Sequence, residues 1–433
     1  MSFYTSAIST QIIDAQFDQS KFRSEFRIVK DGLYSTAMRI LNIGLLANTA
    51  SAESGGRYNL LTGAHGVIRN IYLYDGRQVL DQVINYADKC AFNSYNHTNN
   101  ENRDLYKALS KHGMGFVFDK QPVASSELPL PINPTLIKED FPNQSHTPKE
   151  SPQESALGFI NLREVFPLLK QLPLVSTKLF PNLRVVVEYA VAESLVLNDA
   201  GAITGTALPI LVVDQVMNDA LEASTLSSFK NVVWTATEVE SVTVAPVPAG
   251  AGVQSTKVRL NGFSNKTLMN MLVQKKGTTS VSSLYKSHGS ITGYGEAIQV
   301  AVNGSNLFPL EGIISPNQRL ALLHDTYGAC DAHPGSANLA IYNSGDFIDF
   351  ASARVGQTDY FGCVVGKPIT SLELQYSREY NTVGIDSRYT QGLTLNIFGS
   401  VLKSIVKTPK GYSVLYIWET SPLAIFSAYA YNL

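Results

Sequence analysis

Along this chain, apolar positions recur most clearly with a period of two. In the stretch Phe159–Tyr189, the last seven residues put Leu183, Val185, Val187 and Tyr189 on one face and Arg184, Val186 and Glu188 on the other. Alternation of this kind, rich in β-branched residues, is the signature of a strand packed on one side. Pro167, Pro173 and Pro181 punctuate the approach and break any helix there. Similar texture predicts strands over 37–47, 66–74, 231–244, 255–260, 296–302, 371–376, 393–401 and 412–418. Helical spacing is rarer. Leu80, Val83, Ile84 and Ala87 predict an amphipathic helix over Gln78–Phe92. Ser315-Pro316, a capping residue before a first-turn proline, opens a second one that runs to Gly328.

The order of these parts repeats. Each half has a strand, an Asx-Gly turn, a helix, a loop region and a proline-preceded alternating strand ending in tyrosine. The landmarks are Gly76, Gln78, Pro181 and Tyr189 in the first half, and Gly304, Pro316, Pro368 and Tyr376 in the second. The first half is longer by a polar, proline-studded insertion over 93–154, an unusual length for a loop in a compact domain. The pattern therefore predicts an all-β protein of two consecutive jelly-roll β-sandwiches, a double jelly roll with a few short helices in the connections. The expected division is an N-terminal arm over 1–30 that orders only against something else, a first jelly roll over 31–228 and a second over 229–433. Residues 224–230 read as a connector.

Composition adds one point. Hydrophobic residues make up 44% of the 433 residues, enough for a large core, but charged residues only 16%, with a net charge of −2. So weakly charged a surface suits a protein that buries much of its exterior against copies of itself. A β-rich protein whose polar face is Ser, Thr and Asn has the same composition. Neither reading leaves the clustered Lys and Arg that nucleic-acid binding needs. Three cysteines, Cys90, Cys330 and Cys363, without CxxC spacing read as free thiols in a reducing compartment. The first residues lack a basic start followed by an apolar run, so no signal peptide is expected and the sequons at Asn96, Asn143, Asn265 and Asn303 are expected to stay unmodified. No segment approaches the ~18 uncharged apolar residues of a spanning helix.

Candidate chemistry is sparse. No histidine pair has HxH or HxxxH spacing. His324, Asp325, Cys330, Asp331 and His333 hold donors suitable for a metal, but their place at a helix end running into a Pro-Gly turn reads as a solvated loop. The glycines of GSITGYGE precede a strand rather than a helix, so they form no phosphate loop. Asp346 and Asp349 are explained by turn chemistry, and Ser290 lacks a nucleophile elbow. Lys403, Lys407 and Lys410 read as one solvent face of a strand and hairpin, with contact to a packaged genome or an anionic membrane as the other reading. The expectation is thus no catalytic, cofactor-binding or metal site and no cofactor.

Several stretches taken together carry a family resemblance. GAHGVIRNIYLYDGRQVLDQVINY, FINLREVFPLLKQLPL and LPILVVDQV in the first half, then RLNGFSNKTLMNMLVQKKG, GKPITSLELQY and LTLNIFGSVLKSIVKTPKGYSVLYI in the second, resemble the double jelly-roll major capsid proteins of virophages, Polinton-like viruses and adintoviruses. The likeness spans about residues 35–418 and rests on order and texture. It implies a non-enzymatic structural protein whose homotrimers are pseudo-hexameric blocks tiling an icosahedral shell. It also implies neighbouring capsomers, penton and minor capsid proteins as partners, synthesis in the host cytoplasm and residence in the virion. Sequence-specific nucleic-acid binding is not among its implications. The chain is shorter than many of those proteins, which implies short exterior loops. The alternative is a glycan- or receptor-binding β-sandwich, for which the 21 tyrosines and two tryptophans supply material.

Overall fold

The computed structural model describes residues 7–16, 22–47, 57–58, 63–95, 157–190, 196–197, 203–206, 208–229, 231–248, 252–277, 297–314, 316–327, 360–378, 392–408 and 411–418. The strands of the first half are β1 (Ala7–Asp14), β2 (Arg23–Arg27), β3 (Leu33–Ser35), β4 (Arg39–Ile43), β5 (Leu45–Ala47), β6 (Arg57–Tyr58), β7 (Ile68–Asp75), β8 (Gln78–Val83), β9 (Gly158–Asn161), β10 (Leu174–Ser176), β11 (Leu183–Tyr189), β12 (Val196–Leu197), β13 (Ile203–Thr206) and β14 (Ile210–Met217). Helices α1 (Tyr86–Tyr95), α2 (Leu162–Val165), α3 (Pro167–Gln171) and α4 (Asp219–Ser228) interrupt or follow them. The second half contributes β15 (Asn231–Val244), β16 (Gln254–Arg259), β17 (Lys266–Gly277), β18 (Ala297–Val302), β19 (Ser305–Asn306), helix α5 (Pro316–Tyr327), β20 (Tyr360–Ile369), β21 (Leu372–Arg378), β22 (Leu393–Thr408) and β23 (Gly411–Tyr416).

Two sheets form in each half, and their strand orders match. In the second half β15-β22-β17-β20 faces β16-β21-β18-β19. By rank along the chain these are 1-8-3-6 and 2-7-4-5, the jelly-roll arrangement. In the first half β2-β11-β7-β8 is again 2-7-4-5. Its companion has β1 on one edge of β14, with β3 and β4 in line along the other edge and β10 and β9 beyond them. Ranks 3 and 6 are each split in two, because α2 and α3 are inserted between β9 and β10. Two short ladders, β5–β13 and β6–β12, extend the connections. The protein is a double jelly roll.

Antiparallel alternation puts the brief links 28–32, 76–77 and 177–182 at one end of the first sandwich, with 260–265, 303–304 and 370–371 at the matching end of the second. The long connections 84–157, 278–296 and 307–359 all leave from the opposite ends. The two tightest turns are the sequence landmarks. Gly76 takes φ +58° between Asp75 and Gln78, while Asn303 and Gly304 take +53° and +82°, the left-handed pair that matches hairpin twist. Each turn also holds the link into its rank-7 strand. Asp75 accepts the Asn182 N–H at 2.7 Å, and Asn303 accepts those of Thr370 and Ser371 at 2.7 and 3.2 Å.

β11, β15, α5 and β18 form where the alternation and caps predict them. Three expectations are corrected. Gln78–Val83 is a strand, and the helix begins only at Tyr86. The register of β7 with β8 shifts so that Leu80 is the extra residue of a bulge. Leu80, Asp81 and Val83 are all buried as a result, and a spacing that imitates a helix is the trace of that bulge. The N-terminal segment is no separate arm over Ala7–Asp14 and Arg23–Arg27. Those residues are β1 and β2, paired to β14 and β11. The connector contains helix α4, capped by the Asn218 side chain on the Leu221 N–H at 2.9 Å. Of the insertion, 93–95 belong to α1 and the remainder lies outside the described residues.

One buried apolar cluster runs through both sandwiches, with Phe26, Tyr34, Phe166 and Phe180 in the first and Trp234, Phe263, Phe361 and Tyr376 in the second. Gly399 marks its tightest point, since a Cβ there would stand 2.2 Å from the Phe263 ring. A smaller cluster joins Phe92 of the first half to Leu272, Leu323 and Phe398 of the second.

Candidate functional site

Where the candidate chemical groups are described, they are structural. His65 is buried between the Tyr86 hydroxyl and the Phe159 carbonyl, both at 3.0 Å. Cys90 and Cys363 are buried, and burial pushes the Cys363 thiol to about 12, which leaves it inert. Asp325 is exposed on α5, whereas Cys330, Asp331 and His333 lie outside the described residues, as do Ser290, Asp346, Asp349 and Lys410. No three potential metal ligands converge among the described residues.

The organised polar chemistry lies between the two sandwiches. Helix α1, with β8 and α3, packs on the outer face of the β15-β22-β17 sheet. Asp88 of α1 is buried. It accepts the Asn396 amide N–H at 3.0 Å and pairs with Lys276 at 3.2 Å. At the next position Lys89 donates to the Thr237 hydroxyl. Burial lowers the Lys89 ammonium to about 8 against the pull of Asp81. Asp81 has no exposed surface and caps the Leu168 N–H at 3.1 Å. Burial raises it to about 6, against the Leu168 and Gln82 N–H groups and the charges of Lys403 and Lys89. At the short-turn end the Tyr412 hydroxyl donates to Asp75, and the Tyr412 ring meets Phe180 edge-on at 4.8 Å between centroids. Lys407 donates to the Leu226 carbonyl at 2.8 Å.

Lys403 corrects the expected solvent face, because it is only 4% exposed. It pairs with Glu238 at 3.1 Å, and its ammonium and that of Lys266 lie 4.7 and 4.4 Å from the Tyr416 ring centre. The Tyr416 hydroxyl donates to Glu238 at 2.7 Å. Burial raises the Glu238 pKa less than Lys403, Tyr416 and Lys266 lower it, so the carboxylate stays charged. The cluster is satisfied internally and presents no free anion site.

Outer faces differ between sheets. On β2-β11-β7 a polar ladder covers the surface: Glu25 binds Arg23, Arg27 and Arg184 at 2.6, 2.7 and 3.0 Å, and Glu188 takes the Asn70 amide. On β1 the outward positions include Ile8 and Ile12, 52% and 66% exposed. Beyond β19, Leu310 and Ile314 are 91% and 50% exposed. The seam and these faces escape sequence reading because their significance depends on partners far along the chain. The one available signal was Ile8 and Ile12, four residues apart and so on one face of a largely polar strand.

Two jelly rolls in succession, held by a buried polar seam, define the class of fold. No family model matches the chain, and no curated protein matches it. Solved structures do. The chain is similar to the mavirus major capsid protein (10% identity, 96% of this chain and 92% of that one, TM-score 0.53) and to the Faustovirus major capsid protein (8%, 93% and 90%, 0.56). It is likewise similar to PBCV-1 VP54, a structure fitted into a reconstruction of the virophage Sputnik (11%, 95% and 97%, 0.53). The likeness is one of fold over almost the full length of each chain.

Proposed function

We propose that this chain is the major capsid protein of an icosahedral DNA virus, a structural subunit with no enzymatic role. The observation that carries the reading is the double jelly roll itself, shared with capsid proteins over at least 90% of both chains at each of these three likenesses. The architecture suits the task. Short turns at one end make a level base, and every long connection leaves from the other end. The subunit associates into homotrimers of pseudo-hexagonal outline, which meet neighbouring capsomers, pentons and minor capsid proteins in the virion after synthesis in the host cytoplasm. The 93–154 insertion belongs to the trimer interface or the outer surface. Mass photometry of the purified protein tests this reading. It predicts a dominant species at three times the 47.2 kDa chain mass. A monomer retained on immobilised glycans would instead favour the receptor-binding sandwich.

A further inference from the structure

Beneath α1, side chains from three elements are arranged for a reaction of the chain with itself. β17 and β22 are neighbours, with Leu272 opposite Phe398 and Gln274 opposite Asn396. Residues two apart on a strand share a face, so Lys276 is the diagonal neighbour of Asn396, a distance that a long side chain spans. Helix α1 lies over this face. Phe92 packs with Leu272 and Phe398, and one helical turn earlier Asp88 meets Asn396 and Lys276. Asp88 and Asn396 are buried, 4% and 2% exposed. Asp88 Oδ2 stands 3.3 Å from the Lys276 ammonium and 3.0 Å from the Asn396 amide nitrogen, while Oδ1 is 3.2 Å from the same ammonium. On the other side of β22, Ser241 of β15 lies opposite Asn396, and its hydroxyl donates to the Asn396 carbonyl oxygen at 2.8 Å. An amine, a carboxylate touching both amine and amide, and a hydroxyl on the amide oxygen are the nucleophile, the proton carrier and the oxyanion donor of an acyl transfer. A plain ion pair needs neither the shared oxygen nor the polarised carbonyl.

We propose that Lys276 and Asn396 close an intramolecular isopeptide bond, with Asp88 moving the protons and Ser241 holding the carbonyl oxygen. Lys276 passes a proton to Asp88, and the free amine attacks Asn396 Cγ. Negative charge develops on the carbonyl oxygen, where the Ser241 hydroxyl already donates. Asp88 gives its proton to Nδ2 and takes one from the attacking nitrogen. The Cγ–Nδ2 bond breaks, ammonia leaves, and a Cγ–Nζ amide remains with Asp88 protonated. No oxidant, reductant or second reactant is consumed. The ion pair is the state before closure, held in position so that the step is intramolecular. The reaction is a single turnover of the chain on itself, and its product ties β17 to β22 at the place where α1 joins the two sandwiches. The inference does not depend on the capsid reading.

Intact-mass spectrometry of the denatured full-length protein, sampled over several days after purification, reads the bond directly. The expected result is a species lighter than the sequence mass by one ammonia, which grows until it replaces the unlinked chain. Tryptic digestion should then yield a branched peptide joining Lys276 to Asn396. Lys276→Arg and Asp88→Asn are expected to keep their full sequence mass, and Ser241→Ala to accumulate the lighter species more slowly. The full sequence mass in aged wild-type protein would overturn the proposal, and that measurement needs no variant to fold. Ammonia loss that maps to other residues, such as a succinimide at Asn261-Gly262, would overturn it equally. A Lys276–Asn396 link that forms at the wild-type rate in Asp88→Asn would overturn the part given to the carboxylate.

Discussion

The Tyr412 hydroxyl donates a 2.5 Å hydrogen bond to Asp75, joining the last hairpin of the second sandwich to the rank 4–5 turn of the first. Asp75 also receives the Asn182 N–H through its other oxygen, so this carboxylate ties together a turn, the start of β11 and the partner sandwich. Burial and the facing carboxylate both raise the Tyr412 pKa, which keeps the phenol protonated as donor. Tyr412→Phe keeps the ring against Phe180 and removes only the donor. It is expected to cost about 1.5–3 kcal/mol, the range for hydrogen bonds to charged groups, measured by urea unfolding.

Asp88 should be more sensitive. Its removal takes the closer acceptor from the buried Asn396 amide, leaving it Gln274 at 3.4 Å, and breaks the ion pair with Lys276. Asp88→Ala is expected to destabilise by about 2–4 kcal/mol. Hydrogen exchange should locate the effect, with protection falling along β17 and β22 at the seam before it falls in β11.

Two carboxylates predict opposite pH windows. Glu25 sits at about 2 in the folded protein, because Arg27, Arg184 and Arg23 outweigh the effect of burial. A depressed acid stabilises the fold above its unfolded pKa near 4.5, and that contribution is lost as pH falls from about 4.5 to 2. Allowing for screening at the exposed arginines, it is about 2 kcal/mol. Asp81 is raised to about 6, so the folded state holds its proton more tightly than the unfolded chain. Stability therefore falls as pH rises from about 4 to 6, by about 3 kcal/mol. Urea melts at a series of pH values should show both slopes. Glu25→Gln should abolish the acid one and Asp81→Asn the other, each without affecting its counterpart.

Gly399 is fixed by Phe263, whose ring occupies the space of any Cβ. Gly399→Ala is expected to cost about 1–3 kcal/mol by overpacking. Combining it with Phe263→Leu should recover part of that loss, and additive losses in the double-mutant cycle would contradict the account.

Legibility in the sequence followed the regularity of the backbone. β21 buries one face in an unbroken ladder and β11 keeps its register with β7 as far as Glu188, and their alternation showed it. Asp75-Gly76 and Asn303-Gly304 close equivalent hairpins, so two short dipeptides revealed the duplication. Where the ladder is irregular, the pattern misled: one bulge at Leu80 turned a strand into apparent helical spacing. β1 was read as an arm because Ile8 and Ile12 point away from its own core and Ile13 alone of its isoleucines turns towards it, so nothing in its neighbourhood suggested a sheet. Asp88, Asp81 and Lys403 were invisible as seam residues. A buried charge looks like a surface charge until Asn396, Leu168 or Glu238 is brought to it from elsewhere in the chain.

The central claim, that this double jelly roll builds a shell, is tested most directly by negative-stain electron microscopy of the purified full-length protein. The account predicts triangular or hexagonal blocks, or closed icosahedral shells. Isolated single-chain particles at all concentrations would contradict it.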